Sequence, residues 1–379
     1  MRNQNDDIMR NLLHFVLSVF VIGSFLGCSG DVVKTPDEFL KQESVLPQFN
    51  WREQVIADIG GSEKMLFLTQ NRDALCSLEL ETKKIDTLFT GYDLHYVCVN
   101  EDDGSVWLSM GNWEKMWYSK TNTKIQCPPT KHHDKLVRWE GSPQQSFFAC
   151  GNRLFTGVMP KRGSTNSNLE YAEFREKSSL IAEWDISDEN NIKCVRIFGK
   201  RPSDQPKDMF VDDCYYTAFN VEDSVIVAAT ELSQSVVVMN FKGEKLKEKK
   251  LSSVFYVPPE KRDFSQNHSA IEIINYWNSN MLFRGLYYDK YRKLYYRLLD
   301  LSGEKSENTF TKKEADWVLI VADSKLRKKY EVRFEGEKYN GFLWIGKQGV
   351  YVKKKKNKTK AEIDVRLSDV PLRMPLGKL

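Results

Sequence analysis

Short runs of apolar residues, separated by turn-forming residues, follow one another along most of the chain. In "LHYVCVNEDDGSVWLSM" two such runs flank Asp102, Asp103 and Gly104, a combination typical of a hairpin turn. From Phe49 onward the pattern predicts about six sets of three or four strands. No long amphipathic helix is predicted between the sets, so the chain is expected to be antiparallel and all-β.

Repeated strand sets of this kind favour a β-propeller-like fold of about six blades over residues 49–379, because each blade buries its faces against its neighbours. A strand near Asn50–Ile59 is expected to complete the last blade. The alternative is two β-sandwich or barrel domains that divide near Pro160–Ser178, where a polar insertion interrupts the strands.

The apolar run "LLHFVLSVFVIGSFL" contains no charged residue and ends just before Cys28. As a helix it spans about 22 Å, less than the ~30 Å hydrocarbon core of a membrane, so a secretory signal fits better than a spanning helix. The segment "SFLGCSG" resembles the lipobox of bacterial lipoproteins, which implies cleavage after Gly27 and diacylglycerol on Cys28. We therefore expect a lipoprotein signal peptide at 1–27, the anchor cysteine with a linker at 28–48, and the membrane as a partner through the lipid. Ordinary signal-peptidase cleavage and a buried core helix are the alternatives.

The stretch "YYDKYRKLYYRLLDL", together with the lipobox-like start and the size of the chain, resembles uncharacterised Bacteroides-type lipoproteins with a six-bladed β-propeller-like fold. Its most specific part runs from Tyr287 to Arg297, where a strand, a turn rich in Tyr and Arg, and a second strand follow one another. The resemblance implies the fold and a location in the cell envelope, with the lipid in the outer membrane and the domain on its periplasmic or surface face. It implies no chemistry.

Charge and cysteine usage narrow the possible partners. The 379 residues include 56 Lys and Arg against 52 Asp and Glu, a net charge of +4 that gives no reason to expect nucleic-acid binding. Six of the seven cysteines lie beyond Cys28, without a CxxC pair, so neither a metal cluster nor another cofactor is expected. Most lie in apolar runs and are expected to be small buried side chains, although one or two disulfides remain possible.

Two groups of residues are candidates for ligand binding. A two-residue period places Arg284 on one face of its strand with Leu286 and Tyr288, and Arg297 on one face of the next strand with Tyr295 and Leu299. Both arginines would lie near the propeller axis and meet a carboxylate or an anionic ligand. Tyr287 is a further candidate for ligand binding on the same hairpin. The alternatives are a structural ion pair and an arginine whose charged end extends to the rim. Trp113 and Trp117 have the flat aromatic faces of a sugar platform, although aromatic side chains in a β-rich chain more often lie in the core.

Catalytic motifs are missing from the sequence, which contains no GxSxG, HExxH, P-loop or dinucleotide fingerprint. The acids in "NEDDG" are interpreted as turn residues rather than catalytic carboxylates. His132 and His133 have no third metal ligand nearby in the sequence. The leading hypothesis is a lipid-anchored module that binds a glycan, a peptide or an envelope protein without catalysis. The alternatives are a propeller hydrolase or lyase acting on a carbohydrate or lactone, and a scaffold subunit of an envelope complex.

Overall fold

The chain is nearly all-β in the part that the structure describes. The computed structural model describes residues 32–36, 42–43, 51–69, 71–110, 115–120, 122–126, 131–132, 135–139, 147–160, 180–188, 191–205, 215–259, 272, 275–276, 279–301, 315–347, 349–354 and 370–374. Cys28 and the apolar run before it lie outside these residues. No helix within the described ranges is long and apolar enough to cross a membrane.

The described strands form six sheets, which we number I to VI in chain order. Two short N-terminal strands add to sheets formed late in the chain. Strand β1 (Val33–Lys34) belongs to sheet V, and strand β2 (Gln42–Glu43) belongs to sheet VI. Sheets I to III contain β3 (Trp51–Ile59), β4 (Ser62–Thr69), β5 (Ala74–Glu79) and β6 (Ile85–Thr90); β7 (Leu94–Val99), β8 (Val106–Met110), β9 (Lys115–Tyr118) and β10 (Thr123–Gln126); and β11 (Lys131–His132), β12 (Lys135–Trp139), β13 (Phe147–Cys150), β14 (Arg153–Pro160), β15 (Ile181–Asp185) and β16 (Lys193–Phe198). Sheets IV to VI contain β17 (Tyr215–Asn220), β18 (Val225–Thr230), β19 (Ser235–Asn240) and β20 (Lys245–Lys250); β21 (Leu282–Asp289), β22 (Leu294–Asp300), β23 (Trp317–Asp323) and β24 (Lys328–Phe334); and β25 (Tyr339–Gly346), β26 (Gly349–Lys354) and β27 (Val370–Met374).

Turn chemistry fixes the antiparallel pairing of β7 and β8 in sheet II. Between β7 and β8, Asn100 Oδ1 accepts a hydrogen bond from the Asp102 amide, and Asp103 Oδ1 accepts one from the Ser105 amide. Gly104 completes this turn at φ +68°, a backbone conformation that glycine adopts without steric cost. The hairpin predicted from "NEDDG" is therefore confirmed.

The six sheets are arranged around a common axis as a β-propeller. The innermost strands lie beside one another: β3 contacts both β7 and β25, β7 contacts β13, and β17 contacts β21. Each space between neighbouring sheets holds its own hydrophobic cluster. The cluster that joins sheet VI to sheet I contains Trp344, Tyr351 and Met65, so the ring is closed by side-chain packing. Both faces of a sheet are thus buried, as in β22, where all seven residues are buried.

Two details differ from the sequence-based expectations. The strand near Asn50–Ile59 does not complete the last blade: as β3 it is the first strand of sheet I, and β2 instead pairs with β27 of sheet VI. The segment Pro160–Ser178 does not divide two domains either, because β14 and β15 on its two sides pair within sheet III. A long insertion between paired strands resembles a domain boundary in a single sequence, since both interrupt the apolar pattern.

The cysteines that the structure describes are free thiols. Cys76, Cys98 and Cys150 are buried and Cys194 is half-buried. All four belong to strands, which agrees with the prediction of small apolar side chains. Burial raises the pKa of each thiol, which keeps it protonated. Cys127 and Cys214 lie outside the described residues.

Candidate functional site: the axial cavity

A cavity of about 260 Å³ lies on the propeller axis, and residues of the innermost strands of all six sheets line it. Its wall is aromatic and aliphatic. Phe148 of sheet III stacks on Phe219 of sheet IV, with ring centroids 4.3 Å apart and planes 4° apart. Leu286, Leu343 and Trp344 add further apolar surface. Polar residues, among them Asp58, Glu101 and Lys290, line the rest of the cavity. A concavity that combines apolar walls with a few convergent polar groups is the usual form of a small-ligand site.

Polar residues gather where the innermost strands end. Asp58 lies near the end of β3, Glu101 directly follows Asn100 after β7, and Lys290 directly follows β21, and all of them line the cavity. The innermost strands lie side by side around the axis, so their ends meet at one opening. We call this opening the mouth of the cavity.

An ion pair crosses the mouth from one side of the ring to the other. Lys290 Nζ of sheet V donates a hydrogen bond to Glu101 Oε2 of sheet II, three sheets away. The two side chains are 43% and 32% exposed, so solvent reaches the pair. A bond of this kind is weak in stability terms, about 0–1 kcal/mol for an exposed pair, and is therefore readily exchanged for a bond to a ligand.

The groups at the mouth carry opposite charges and hydrogen-bond donors. Burial lowers the pKa of the Lys290 ammonium, but the nearby Glu101 carboxylate more than offsets this, so that the pKa is raised and the charge is kept. Burial also raises the pKa of the Tyr291 phenol, which therefore remains a donor at neutral pH. Asp58 adds a second carboxylate. The mouth can thus bind a carboxylate through Lys290 and Tyr291, and an amine or hydroxyl group through Asp58 and Glu101.

Tyr287 lines the cavity below this mouth, as a consequence of an irregularity in β21. Phe283 pairs with Leu299 but Leu286 pairs with Arg297, so β21 contains one more residue than β22 over this stretch, which is a β-bulge. Gly285 lies in the bulge at φ +79°, and a Cβ atom there would come within 2.9 Å of the Tyr287 ring. The bulge places the Tyr287 ring directly against the glycine. Burial raises the pKa of the Tyr287 phenol.

The same bulge separates the two arginines that the two-residue period had grouped together. Arg297 belongs to the face of sheet V that meets sheet IV, together with Phe283, whose ring centroid lies 3.6 Å from the guanidinium carbon. Arg284 belongs to the opposite face, next to Gly341 of sheet VI. The expectation that both lie near the axis assumed an unbroken alternation, which the extra residue interrupts.

Arg297 is fully buried and joins two sheets. Its Nη1 and Nη2 atoms donate hydrogen bonds of 2.7–3.2 Å to backbone carbonyl oxygens, which belong to Thr230, Ser233, Gln234 and Leu251. Burial lowers the pKa of its guanidinium, and the charge of Asp204 acts in the opposite direction. All of these carbonyl groups come from sheet IV or the segment after it, so Arg297 connects sheets IV and V rather than facing a ligand.

Arg284 is half-buried and forms an ion pair with Asp300, Nη2 to Oδ1 2.5 Å. Burial works against its charge, but the Asp300 carboxylate outweighs this effect and raises the pKa of the guanidinium. Gly341 makes room for it, since a Cβ atom at that position would lie 2.6 Å from Arg284 Nη2. Arg284 is thus paired with Asp300 within the protein and does not line the axial cavity.

The tryptophan candidates are placed differently from one another. Trp117 is 3% exposed and packs in the cluster between sheets I and II. Its Nε1 donates to Asn122 Oδ1 at 2.9 Å, and Phe89 lies against its ring, with centroids 4.8 Å apart. Both faces are occupied by protein, as expected of a core aromatic residue. Trp113 lies outside the described residues.

Sequence reasoning missed the charged pair at the mouth. The sequence pattern places Glu101 in a turn and does not single out Lys290. One signal was available: in "VCVNE" and "LYYDK" each of these residues directly follows a short polar residue at the end of an innermost strand, Asn100 just after β7 and Asp289 as the last residue of β21. Within the described residues no group of three or more His, Cys, Asp or Glu side chains is arranged to hold a metal ion. His133 lies outside them.

Comparison with solved structures supports the architecture. A member of the DUF4221 family from Bacteroides vulgatus superimposes with a TM-score of 0.69 at 13% sequence identity, covering 88% of this chain and 96% of the other. A Bacteroides fragilis protein whose name describes it as exported gives 0.48 at 10% identity, with 92% and 99% covered. A gluconolactonase from Xanthomonas campestris gives 0.45 at 9% identity, with 92% and 96% covered.

No protein-family model and no curated protein sequence matches the chain. The similarity to the Bacteroides vulgatus structure therefore shows the fold alone, and that fold is the β-propeller-like one that the strand pattern predicts. A Bacteroides neighbour also fits the Bacteroides-type resemblance seen in the sequence.

Proposed function

We propose that this protein is a ligand-binding module that holds a small acidic molecule in its axial cavity. The observation that carries the proposal is the Lys290–Glu101 pair, which crosses the mouth between opposite sheets. A ligand carboxylate replaces Glu101 on Lys290 and accepts a second bond from Tyr291. The apolar part of the ligand lies against Phe148 and Phe219.

The size and chemistry of the cavity favour the end of a peptide or an acidic sugar over a large partner. A volume of about 260 Å³ is slightly below the usual range for drug-sized ligands, ~300–1,000 Å³, so one residue or one sugar ring fills it. A peptide end with a free amine satisfies Asp58 and Glu101, whereas a sugar presents hydroxyl groups to the same carboxylates.

The proposal includes a lipid tether on Cys28, which would place the module in the cell envelope, lipid-anchored at the outer membrane on its periplasmic or surface face. The lipobox-like sequence supports this part. Labelled palmitate should enter the wild-type protein, and Cys28→Ser should abolish labelling and release the protein from the membrane fraction. Unchanged fractionation of Cys28→Ser would remove the tether.

Binding is tested on the mature protein by calorimetric titration with amino acids, short peptides and uronic acids. Lys290→Met removes the ammonium and is expected to weaken a carboxylate ligand about 10- to 100-fold, because a hydrogen bond to a charged group contributes about 1.5–3 kcal/mol. The matched control is Lys293→Met. Lys293 lies on the same hairpin as Lys290 but does not line the cavity, and its substitution breaks only an exposed ion pair with Glu222.

Equal loss of affinity in the two variants would contradict the site. Turnover of a bound lactone or glycan would favour the hydrolase or lyase alternative. An envelope protein bound with no small ligand would favour the scaffold alternative.

A further inference from the structure

The outer edge of sheet IV carries a basic strand. β20 is exposed and contains four lysines in six residues, with Glu248 as its only acid. Glu248 is already occupied, since it accepts bonds from Lys245 and Ser203. None of the other three lysines forms an ion pair with a residue that the structure describes. They are Lys247, Lys249 and Lys250.

Exposed aliphatic side chains accompany these lysines. Leu246 of β20 is 54% exposed, and Val254, four residues after the strand, is 50% exposed. Lysines on an edge strand are sufficiently explained by protection against unwanted strand pairing. Exposed aliphatic residues beside them are not explained in that way, because they favour association with another apolar phase.

The N-terminal strand reaches the same region. Val33 pairs with Glu331 on the outer strand of sheet V, and the Glu331 amide donates to Val32 O at 2.9 Å. The Glu331 carboxylate in turn accepts bonds from Ser253 Oγ at 2.7 Å and from the Val254 amide at 3.1 Å. This chain of contacts joins the start of the described chain to the segment that follows β20. Val32 and Val33 are also exposed, at 46% and 44%.

We infer that this rim of sheets IV and V is a membrane-contact surface that binds anionic phospholipid headgroups. We call it the basic rim, and it consists of Val32, Val33, Leu246, Lys247, Lys249, Lys250 and Val254. The inference rests on the proposed tether, because Cys28 lies only five positions before Val33 and so would hold this rim close to the bilayer. Lysines then contact headgroups while the aliphatic side chains enter the interfacial region, a combination that strengthens a lipid anchor.

The rim is tested without the anchor, on the mature chain from residue 28 carrying Cys28→Ser. This protein is expected to bind vesicles of phosphatidylcholine mixed with phosphatidylglycerol, to bind pure phosphatidylcholine vesicles much less, and to lose binding as salt screens the charges. Replacing Lys247, Lys249 and Lys250 by Gln should weaken binding about fivefold per lysine, on the order of 100-fold together.

A second triple variant provides a matched control with the same change in net charge. Lys84, Lys120 and Lys193 are exposed lysines of sheets I to III, and their replacement by Gln should change binding by less than about threefold. Equal losses in the two triple variants, or no preference for phosphatidylglycerol, would overturn the inference. Failure of wild-type protein to incorporate palmitate would remove the tether while leaving the vesicle result to stand by itself.

Discussion

Replacement of Arg297 by methionine is expected to destabilise the propeller by about 3–5 kcal/mol, because several buried carbonyl groups lose their donor and each unsatisfied group costs about 1–3 kcal/mol. The guanidinium is fully buried and contacts several carbonyl oxygens of sheet IV and the segment after it. Methionine fills most of the volume but donates no hydrogen bond. Each charge-assisted hydrogen bond contributes about 1.5–3 kcal/mol. The expected loss is smaller than the sum over all the bonds, because water replaces part of the hydrogen bonding to the carbonyl groups in the variant.

Two further substitutions distinguish the loss of the guanidinium geometry from the loss of the charge, and both from the effect of replacing an exposed arginine. Arg297→Lys keeps a charge but loses the planar fork and the stacking over Phe283, so we expect an intermediate loss of about 2 kcal/mol. Arg333→Met is the control on the same sheet. It removes an ion pair with Asp316 whose partners are 50% and 31% exposed, and should cost no more than about 1 kcal/mol.

The assay is equilibrium unfolding in urea, followed by tryptophan fluorescence, with the midpoint and slope fitted for each variant. The expected order of stability is wild type, Arg333→Met, Arg297→Lys and Arg297→Met. A free energy of unfolding for Arg297→Met within about 1 kcal/mol of wild type would show that the carbonyl groups do not depend on the guanidinium.

Three other outcomes are expected. Gly285→Ala should lower the free energy of unfolding by about 1–3 kcal/mol, because alanine is strained at φ +79° and its Cβ meets the Tyr287 ring; an unchanged urea midpoint would count against the bulge. The four described thiols should react with a thiol reagent at pH 7 only on unfolding, since burial raises their pKa; fast labelling of the native protein would contradict this. Burial raises the pKa of Tyr256, Tyr288 and Tyr330 to about 12, so their contribution to stability is complete below pH 10 and is lost as the pH rises towards 12; urea midpoints that stay constant over this interval would argue against it.

The strand pattern predicted the fold class because it depends on local alternation, which each hairpin preserves. Glycine and aspartate in the turn after Asn100 mark the hairpin before any tertiary contact is known. What failed was the direction of particular side chains. Arg284 and Arg297 point to opposite faces because a single extra residue at Gly285 shifts the alternation, and such a bulge leaves no reliable mark in one sequence.

The candidate site was less predictable than the fold for a geometric reason. Glu101 and Lys290 are 189 positions apart and meet only because their sheets lie on opposite sides of a closed ring. Periodicity within a strand contains no information on that distance. Trp117 shows that residue type alone is a weak indicator of a site. A tryptophan is compatible with a sugar platform, but Trp117 packs in the core between sheets I and II, as aromatic residues of a β-rich chain more often do.

One structural device links the stability of the ring to the position of the mouth. Asn100 donates from Nδ2 to the Gly151 carbonyl at 3.0 Å, tying sheet II to sheet III. Asp289 holds Arg292, whose Nη2 donates to the Gly346 carbonyl at 2.9 Å and ties sheet V to sheet VI. The next residue along the chain lies at the mouth in both cases: Glu101 follows Asn100, and Lys290 follows Asp289. The backbone there is fixed by its neighbour's contacts with the next sheet, so the side chains at the mouth are free to differ in chemistry without disturbing the ring.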